Sequence, residues 1–280
     1  MKFNFRVSPN YRAPLSTQRI MFELTLGILV VLGYNVYFYF THVGVEYGIH
    51  ALAMIVTSVV VAVSTEMAWA LIQKKNPIKY VLNSFPWVTA LLFVSMLGIN
   101  KPLYVVIVGS FVAIVIGKLL FGGFGFNIFN PAGVGRVFVV LSFGGLIYSG
   151  FPDIVTGATP NTVMESLGWV FNNSVQVSSY LEQFGGLWGL ATGSYIGALG
   201  ETNSLLILAV GIYFSIRGII DWRAPVAFLV SMFAFASVIA LWHNMGIWYP
   251  IFHLVTGGVM FGAIFMITDP VTSPTSITGR

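Results

Sequence analysis

Long hydrophobic stretches separated by short polar ones run through the whole 280-residue chain. A bilayer core of about 30 Å requires roughly 20 helical residues, and fewer where protein shields a helix. On this criterion the pattern predicts an all-α polytopic membrane protein, with residues 1–280 forming a single integral membrane domain. The eight predicted spans are residues 20–40, 49–72, 85–99, 103–120, 137–148, 204–216, 225–241 and 249–267.

Two glycine-rich segments, residues 117–136 and 184–203, interrupt this pattern beside the short fifth and sixth spans. Two interpretations are open. The glycines could form turns in surface loops. Alternatively, the segments could be broken, re-entrant helices of opposite orientation that are buried in protein, as in transporters built from an inverted repeat. No clear sequence repeat decides between the two.

The composition supports a membrane protein and limits its chemistry. Only 8% of the residues are charged and 57% are hydrophobic, whereas soluble domains have about one quarter charged residues. The chain has no cysteine, which excludes iron–sulfur clusters held by its own thiolates, disulfides and thiolate nucleophiles. Any redox group must therefore be organic or held by histidine. The net charge of +4 is spread over short loops, so we expect no nucleic-acid partner.

The distribution of lysine and arginine predicts the orientation in the membrane, because basic loops stay on the cytoplasmic side. With the N-terminus inside, eight spans place twelve of the thirteen basic residues inside, Lys118 and Arg136 among them, and only Lys101 outside. Residues 1–19 then form a retained cytoplasmic arm. Residues 149–203, which contain no lysine or arginine, form an outer loop and re-entrant segment.

Four histidines, which are His42, His50, His243 and His253, lie beside the predicted outer loops. Paired imidazoles could ligate a haem or a metal ion. Their position at span ends, next to Trp242, Trp248 and Tyr249, is more typical of interfacial side chains in an aromatic belt. We therefore predict no metal site.

Three carboxylates lie near the predicted membrane interior, where an unpaired charge is costly. Glu23 is expected to snorkel to the cytoplasmic surface. Glu66 and Glu201 are candidates for an ion pathway, and Glu201 is the stronger one because it adjoins the outer glycine-rich segment. Asp269 precedes a proline and is expected to form a turn or to cap a helix end.

A short outer stretch, D-I-V-T-G-A-T-P at residues 153–160, presents hydroxyl groups in a chain with few polar residues. The segment lacks the histidine, lysine or metal cluster of a hydrolase or kinase, so no catalytic residue is predicted. Pro160 favours an extended backbone at Thr159, and Gly157 and Ala158 leave that side chain sterically open. This geometry suits a hydroxyl that another enzyme modifies.

The motif D-I-V-T-G-A-T resembles the D-x-x-[ST]-G-A-T flavinylation sequence of the RnfD/NqrB family. Further blocks match in order and spacing, namely G-K-L-L-F-G-G-F-G-F-N-I-F-N-P-A-G-V-G-R, G-A-L-G-E-T-N, R-G-I-I-D-W-R-A-P and T-D-P-V-T-S-P. The short N-terminal arm followed by S-T-Q-R-I-M is similar to the RnfD branch rather than to NqrB. Family members have about ten helices, so further spans are expected beyond Arg280.

The resemblance implies that Thr159 carries FMN through a phosphoester. It also implies that Asp153, Gly157 and Ala158 serve recognition by the flavin transferase that attaches the cofactor. Replacement of Thr156 is expected to leave the flavin in place unless it disturbs that recognition.

The family further implies a non-covalent riboflavin, for which Asn127 and Asn130 of the N-x-x-N-P block are the candidate ligands. It implies a subunit of the Rnf complex, a ferredoxin:NAD oxidoreductase coupled to Na⁺ or H⁺ translocation. The expected partners are the other Rnf subunits, the transferase and membrane lipid. The expected location is a bacterial or archaeal cell membrane, with Thr159 on the outer side.

Three alternative functions are weighed against this hypothesis. The first, within the family, is an NqrB-type subunit of a Na⁺-translocating NADH:quinone oxidoreductase. A non-redox channel or transporter explains the glycine-rich segments but leaves the T-G-A-T loop without a role. A haem carrier would require the histidines as ligands.

Overall fold

The computed structural model describes residues 16–144, 159–170, 174–193 and 195–273. These residues are helical, with one isolated β-bridge between Gly98 and Ala198. The α-helices of the described chain are α1 (Thr17–Phe38), α2 (Val45–Ile72), α3 (Pro77–Ser84), α4 (Pro86–Ser95), α5 (Leu103–Val115), α6 (Pro131–Phe143), α7 (Pro160–Ser166), α8 (Ser174–Glu182), α9 (Gly186–Thr192), α10 (Ser204–Ile216), α11 (Arg223–Trp242), α12 (Trp248–Val255) and α13 (Val259–Phe261). The predicted all-α fold class is confirmed.

Apolar helices of the described chain account for the eight predicted spans. Four are long enough to cross a membrane, and these are α1 with its π-helical continuation to Val43, α2, α5 extended to Phe121, and α11. Two are bent pairs, with α3 and α4 meeting at 50°, and α12 meeting the helical stretch Val259–Met266 at 62°. The remaining two, α6 and α10, are shorter apolar helices. The arrangement is that of a polytopic membrane protein.

Two predicted boundaries are wrong for the same reason. The third helical unit begins at Pro77 rather than residue 85, and the fifth begins at Pro131 rather than residue 137. In each case an asparagine caps the helix and a proline follows at the first helical position. The side chains of Asn76 and Asn130 accept backbone N–H groups of the first turn at 3.1 and 3.0 Å. A hydrophobicity criterion missed these starts, because a basic residue follows within the first two turns of each helix, Lys79 in α3 and Arg136 in α6. Predicted residues 145–148 lie outside the described residues.

Both glycine-rich segments are irregular and only partly buried. The first runs from the end of α5 to Asn130 and contains only a short 3₁₀ turn at Leu119–Phe121. The second contains the short helix α9, and its residues 195–203 are irregular. Lys118, Asn127, Leu199 and Thr202 are buried, whereas Leu120, Phe126, Ile128 and Phe129 are exposed. The bent helix pairs of the described chain lie elsewhere, at α3–α4 and at α12–α13. A re-entrant course for the glycine-rich segments therefore stays a hypothesis, as does the inverted repeat.

Three hydrophobic cores hold the described helices together. The largest joins α1, α2, α4 and α5 to α10 and α13, and a small one lies between α2, α4 and α5. The second largest joins α7, α8 and α9 to α11 and α12 around Met164, Tyr180 and Phe252. The Tyr180 hydroxyl also donates a hydrogen bond of 2.7 Å to the carbonyl of Pro160. This second core fixes the start of α7, which is where Thr159 lies.

Candidate functional site

Thr159 is the N-cap residue of α7. Its φ and ψ of −56° and 155° are extended, as predicted from the proline that follows. Its Oγ1 accepts the backbone N–H of Thr162 at 3.3 Å, and the Thr162 hydroxyl donates back to the Thr159 carbonyl at 2.9 Å. The residue is half-buried. Asp153, Thr156, Gly157 and Ala158 lie outside the described residues, so their roles stay predictions.

Thr159 lines a cavity of about 340 Å³, a volume within the range of small-molecule sites. Three separate parts of the chain form its other walls: the link between α4 and α5, the irregular stretch before α10, and the break between α12 and α13. The lining residues are Gly98, Ile99, Asn100, Lys101, Arg136, Thr159, Asn161, Ile196, Gly197, Ala198, Glu201, Gly257 and Gly258. The cavity thus brings the predicted attachment residue together with Glu201, one of the two predicted ion-path carboxylates.

Backbone hydrogen bonds tie two of these walls to each other. Besides the Gly98–Ala198 bridge, the N–H of Leu199 donates to the Leu97 carbonyl at 3.0 Å, and the N–H of Gly200 donates to the Ser95 carbonyl at 2.7 Å. Tyrosine and asparagine side chains of α1 and its π-helical continuation also form hydrogen bonds to α9 and to the irregular chain that follows it. These contacts join Tyr34 to Thr192, the π-helical Tyr39 to Gly197, and Asn35 to Thr202.

The break between α12 and α13 is shaped to admit two polar side chains. Gly257 has a φ of +64°, and a Cβ at this position would lie 2.6 Å from Nδ2 of Asn161. The Thr256 hydroxyl donates to Oδ1 of the same asparagine at 3.2 Å. At Gly258, a Cβ would lie 3.1 Å from Oε1 of Glu201. Glycine is therefore required here by backbone conformation and by close approach together.

Lys101 is held at the rim of the cavity by backbone oxygen atoms. Its ammonium group donates to the carbonyls of Phe143 and Gly144 at 3.3 and 3.0 Å. Partial burial, followed by the charge of Arg136, lowers the pKa of Lys101 below its usual value of 10.5.

Arg136 also lines this cavity, which corrects the prediction that grouped it with Lys118 in a cytoplasmic loop. It lies within α6, six residues after the Asn130 cap and about 9 Å along the helix axis. The hydrophobicity criterion started α6 at residue 137 rather than at Pro131, and so left Arg136 in the preceding loop. The structure instead puts it in the same polar space as Lys101 and Thr159.

Lys118 is not a loop cation either. Its ammonium group lies 2.7 Å from Oε1 of Glu66 and donates to the Ser84 carbonyl at 2.5 Å. The Lys118 side chain is 2% exposed and that of Glu66 is fully buried. The sequence placed Lys118 in a cytoplasmic loop and Glu66 near the membrane interior as separate charges, whereas tertiary packing pairs them inside the bundle.

Asn127, Asn130 and Asp269 lie together close to this ion pair. Asn130 Nδ2 donates to Oδ2 of Asp269 at 3.4 Å, and Asn127 Nδ2 donates locally to the Phe129 carbonyl at 3.1 Å. The cavity they line with Lys118 has a volume of only about 40 Å³, which suits a few water molecules and not a flavin ring system. The side chains predicted to hold riboflavin are therefore close together, but the space between them does not fit it.

Asp269 makes the turn predicted for it. Its carboxylate accepts the backbone N–H of Val271 at 3.2 Å and the hydroxyl of Thr272 at 3.0 Å. Glu23, which was expected to snorkel, is instead a buried acceptor for Arg217 Nη2 at 3.0 Å and for the Tyr213 hydroxyl at 3.1 Å. It joins α1 to the end of α10.

The histidines have local partners of several kinds. His42 shares a hydrogen bond of 2.7 Å with Thr41, His50 shares one of 3.0 Å with the Lys101 carbonyl, and His253 stacks on Trp169. Across the described ranges, no group of three or more His, Asp or Glu side chains could hold a metal ion.

Comparison with known proteins gives a consistent result. A sequence profile of the NQR2, RnfD, RnfE family matches residues 4–280. The D subunit of the Na(+)-translocating ferredoxin:NAD(+) oxidoreductase complex of Acetobacterium woodii is 36% identical over 98% of this chain and 79% of its own length. The D subunit of the proton-translocating ferredoxin:NAD(+) oxidoreductase complex of Clostridium ljungdahlii is 32% identical over 99% and 82%. The D subunit of the ion-translocating oxidoreductase complex of Actinobacillus succinogenes is 30% identical over 99% and 84%.

Proposed function

Because the chain belongs to the NQR2, RnfD, RnfE family, we propose that it is the D-type membrane subunit of an ion-translocating ferredoxin:NAD oxidoreductase complex. The relatives are named as D subunits of ferredoxin:NAD(+) or ion-translocating oxidoreductase complexes, which supports this function rather than that of an NqrB-type subunit of a quinone-reducing complex. The subunit acts with other subunits of the complex and not as an isolated enzyme. Lacking cysteine, it needs an organic cofactor to carry electrons.

That cofactor is FMN, joined to the Thr159 hydroxyl by a phosphoester. The supporting observation is that Thr159, the last residue of the D-I-V-T-G-A-T motif, lines a polar cavity with Lys101, Arg136 and Asn161. Two cations and an amide suit a phosphate group. When bound, the flavin supplies one- and two-electron transfer. Asp153, Gly157 and Ala158 serve recognition by the flavin transferase, a role that belongs to the motif.

A covalent bond has a clear physical purpose at this site. A flavin bound with micromolar affinity, about −8 kcal/mol, stays bound only while free flavin is plentiful. Outside the cytoplasm that supply is absent, and a phosphoester removes the dependence on it. Thr159 therefore contributes the bonding oxygen, and the cap geometry of α7 keeps that oxygen at the cavity.

The orientation that puts Thr159 on the outer side of the cell membrane rests on the basic residues. Without Lys118 and Arg136, eleven lysines and arginines remain, and this orientation places ten of them on the cytoplasmic side. Lys101 alone is then an outer loop cation. The unequal distribution of lysine and arginine therefore still supports this orientation after Lys118 and Arg136 are reassigned.

Ion movement is proposed to involve Glu201 and Glu66 in different ways. Glu201 lines the Thr159 cavity, so a cation can approach it from there. Glu66 is already neutralised by Lys118, and a cation that binds to it must displace the ammonium group. The non-covalent riboflavin is not assigned to Asn127 and Asn130, because their cavity is too small in this conformation.

The test is mass spectrometry of the peptide containing Thr159 after co-expression of the full chain with a flavin transferase. We expect an FMN-sized addition and flavin fluorescence that survives denaturing electrophoresis. Thr159→Val should abolish both while the protein still inserts in the membrane, at a cost of about 1 kcal/mol for the lost helix cap.

Thr156→Val is the matched control, since it removes a hydroxyl of the same motif and should leave the flavin in place unless it disturbs recognition by the transferase, a case that Thr156→Ser distinguishes by keeping the hydroxyl. Fluorescence that persists in Thr159→Val would contradict the assignment. An unmodified mass in the wild-type chain under these conditions would do the same.

A further inference from the structure

Arg136 lacks a hydrogen-bonded or ion-paired partner in the described part of the chain. Within residues 16–144, 159–170, 174–193 and 195–273, no hydrogen bond or ion pair reaches its guanidinium group. It is half-buried in the middle of the apolar helix α6 and faces the Thr159 cavity. Charged side chains at such positions are nearly always paired, because leaving one unpaired in a membrane interior is costly.

The charges around the cavity favour an anion as that partner. Lys101 and Arg136 contribute two positive charges and Glu201 one negative charge, so the walls carry an excess of one positive charge when all three are ionised. A phosphodiester carries one negative charge. A flavin joined through its phosphate to Thr159 would therefore bring the cavity to neutrality.

Lys101 is less available to a phosphate, because two of the three N–H groups of its ammonium already donate to the carbonyls of Phe143 and Gly144. Arg136, in contrast, projects from a helix whose position is tightly fixed. A Cβ at the neighbouring Gly135 would lie 2.9 Å from the Gly109 carbonyl oxygen, so α6 and α5 pack backbone against backbone. A planar guanidinium on a rigid helix suits two parallel hydrogen bonds to phosphate oxygens.

We propose that Arg136 binds the non-bridging oxygens of the phosphoester that joins FMN to Thr159. This inference rests on the proposed function and names a further ligand of the same cofactor. Thr159 supplies the covalent bond, and Arg136 supplies the counter-charge that orients the phosphate toward the cavity.

The test compares the full chain and its Arg136→Gln variant, each purified in lipid nanodiscs with and without co-expressed flavin transferase. In the unmodified chain the substitution removes a cation that is attracted by Glu201 and repelled by Lys101 across the cavity, so the melting temperature should change little. In the flavinylated chain it removes a charge-assisted contact, so the melting temperature should fall by about 3 °C. A fall confined to the flavinylated chain is the expected result.

Two variants serve as controls. Lys101→Gln removes the other cation of the cavity. It should lower the melting temperature in both backgrounds through the loss of its bonds to Phe143 and Gly144, with an additional fall on the flavinylated chain that is smaller than the fall given by Arg136→Gln. Arg136→Lys keeps the charge but not the paired geometry, and should give a smaller fall on the flavinylated chain. Arg136→Lys should also lower the anisotropy of flavin fluorescence, because the phosphate is then held less rigidly. This measurement tests the role of Arg136 even if Arg136→Gln does not fold.

The outcomes separate this inference from the proposed function. If the wild-type chain gains no FMN mass, the proposed function fails. If the mass is present on Thr159 but Arg136→Gln changes the melting temperature equally in both backgrounds, only the role of Arg136 is overturned. A fall of equal size in the two backgrounds would point to a partner within the chain, such as Glu201.

Discussion

Two places inside the helical bundle hold charged side chains, and they are built in opposite ways. Glu66 and Lys118 neutralise each other at 2.7 Å, fully buried, beside a cavity of about 40 Å³. Around Thr159, a cavity of about 340 Å³ is lined by charges of which Arg136 has no hydrogen-bonded or ion-paired partner in the described chain. The charges of Glu66 and Lys118 thus serve to stabilise the fold, whereas the charge of Arg136 is available to a ligand.

The largest expected effect comes from breaking the closed pair. Lys118→Met leaves the Glu66 carboxylate buried and uncompensated, which should lower the free energy of unfolding by about 3–5 kcal/mol. Denaturant unfolding of the full chain in mild detergent would measure it. The double variant Glu66→Gln/Lys118→Met removes both charges and should recover most of that loss. A loss under about 1 kcal/mol would mean that water reaches the pair.

An intermediate effect is expected at the open cavity. Gly257→Ala imposes strain at a φ of +64° and places a methyl group against Asn161, so it should cost about 1–3 kcal/mol. It should also reduce the fraction of chain that carries FMN, measured by intact mass. Gly262→Ala is the matched control, because a Cβ there meets no atom within 4 Å and the backbone is helical. Equal losses in the two variants would refute a special role for Gly257.

The smallest expected effect is a dependence on pH at Lys101. Its pKa is lower in the folded than in the unfolded chain, so the folded chain binds fewer protons between the two values. The free energy of unfolding should therefore rise with pH up to about 10.5, relative to a Lys101→Met variant measured in parallel. A difference that falls with pH would mean that the bonds to Phe143 and Gly144 outweigh burial.

Much of the fold could be predicted because a bilayer imposes one dominant constraint. Hydrophobic length located all eight helical units, and the predicted boundaries of α10 match those of the structure. The criterion failed at Pro77 and Pro131, because capping chemistry and not hydrophobicity sets those helix starts.

The candidate site was only partly predictable. A local motif singled out Thr159, and its proline predicted the extended backbone that the structure has. The pairing of Glu66 with Lys118 joins residues on α2 and after α5, so no local pattern contained it. Arg136 was misplaced because a loop count depends on helix boundaries. Contacts between distant segments were the missing information in each case.

The backbone bridge at Gly98 and Ala198 has a mechanical consequence for the cavity. Two main-chain hydrogen bonds, from Leu199 to Leu97 and from Gly200 to Ser95, join the α4–α5 connection to the stretch before α10 and hold those two walls together. The wall at Gly257 and Gly258 has no such main-chain link to them within the described residues. A change in the width of the cavity at these glycines would therefore break side-chain contacts and leave the main-chain bonds between the other two walls intact.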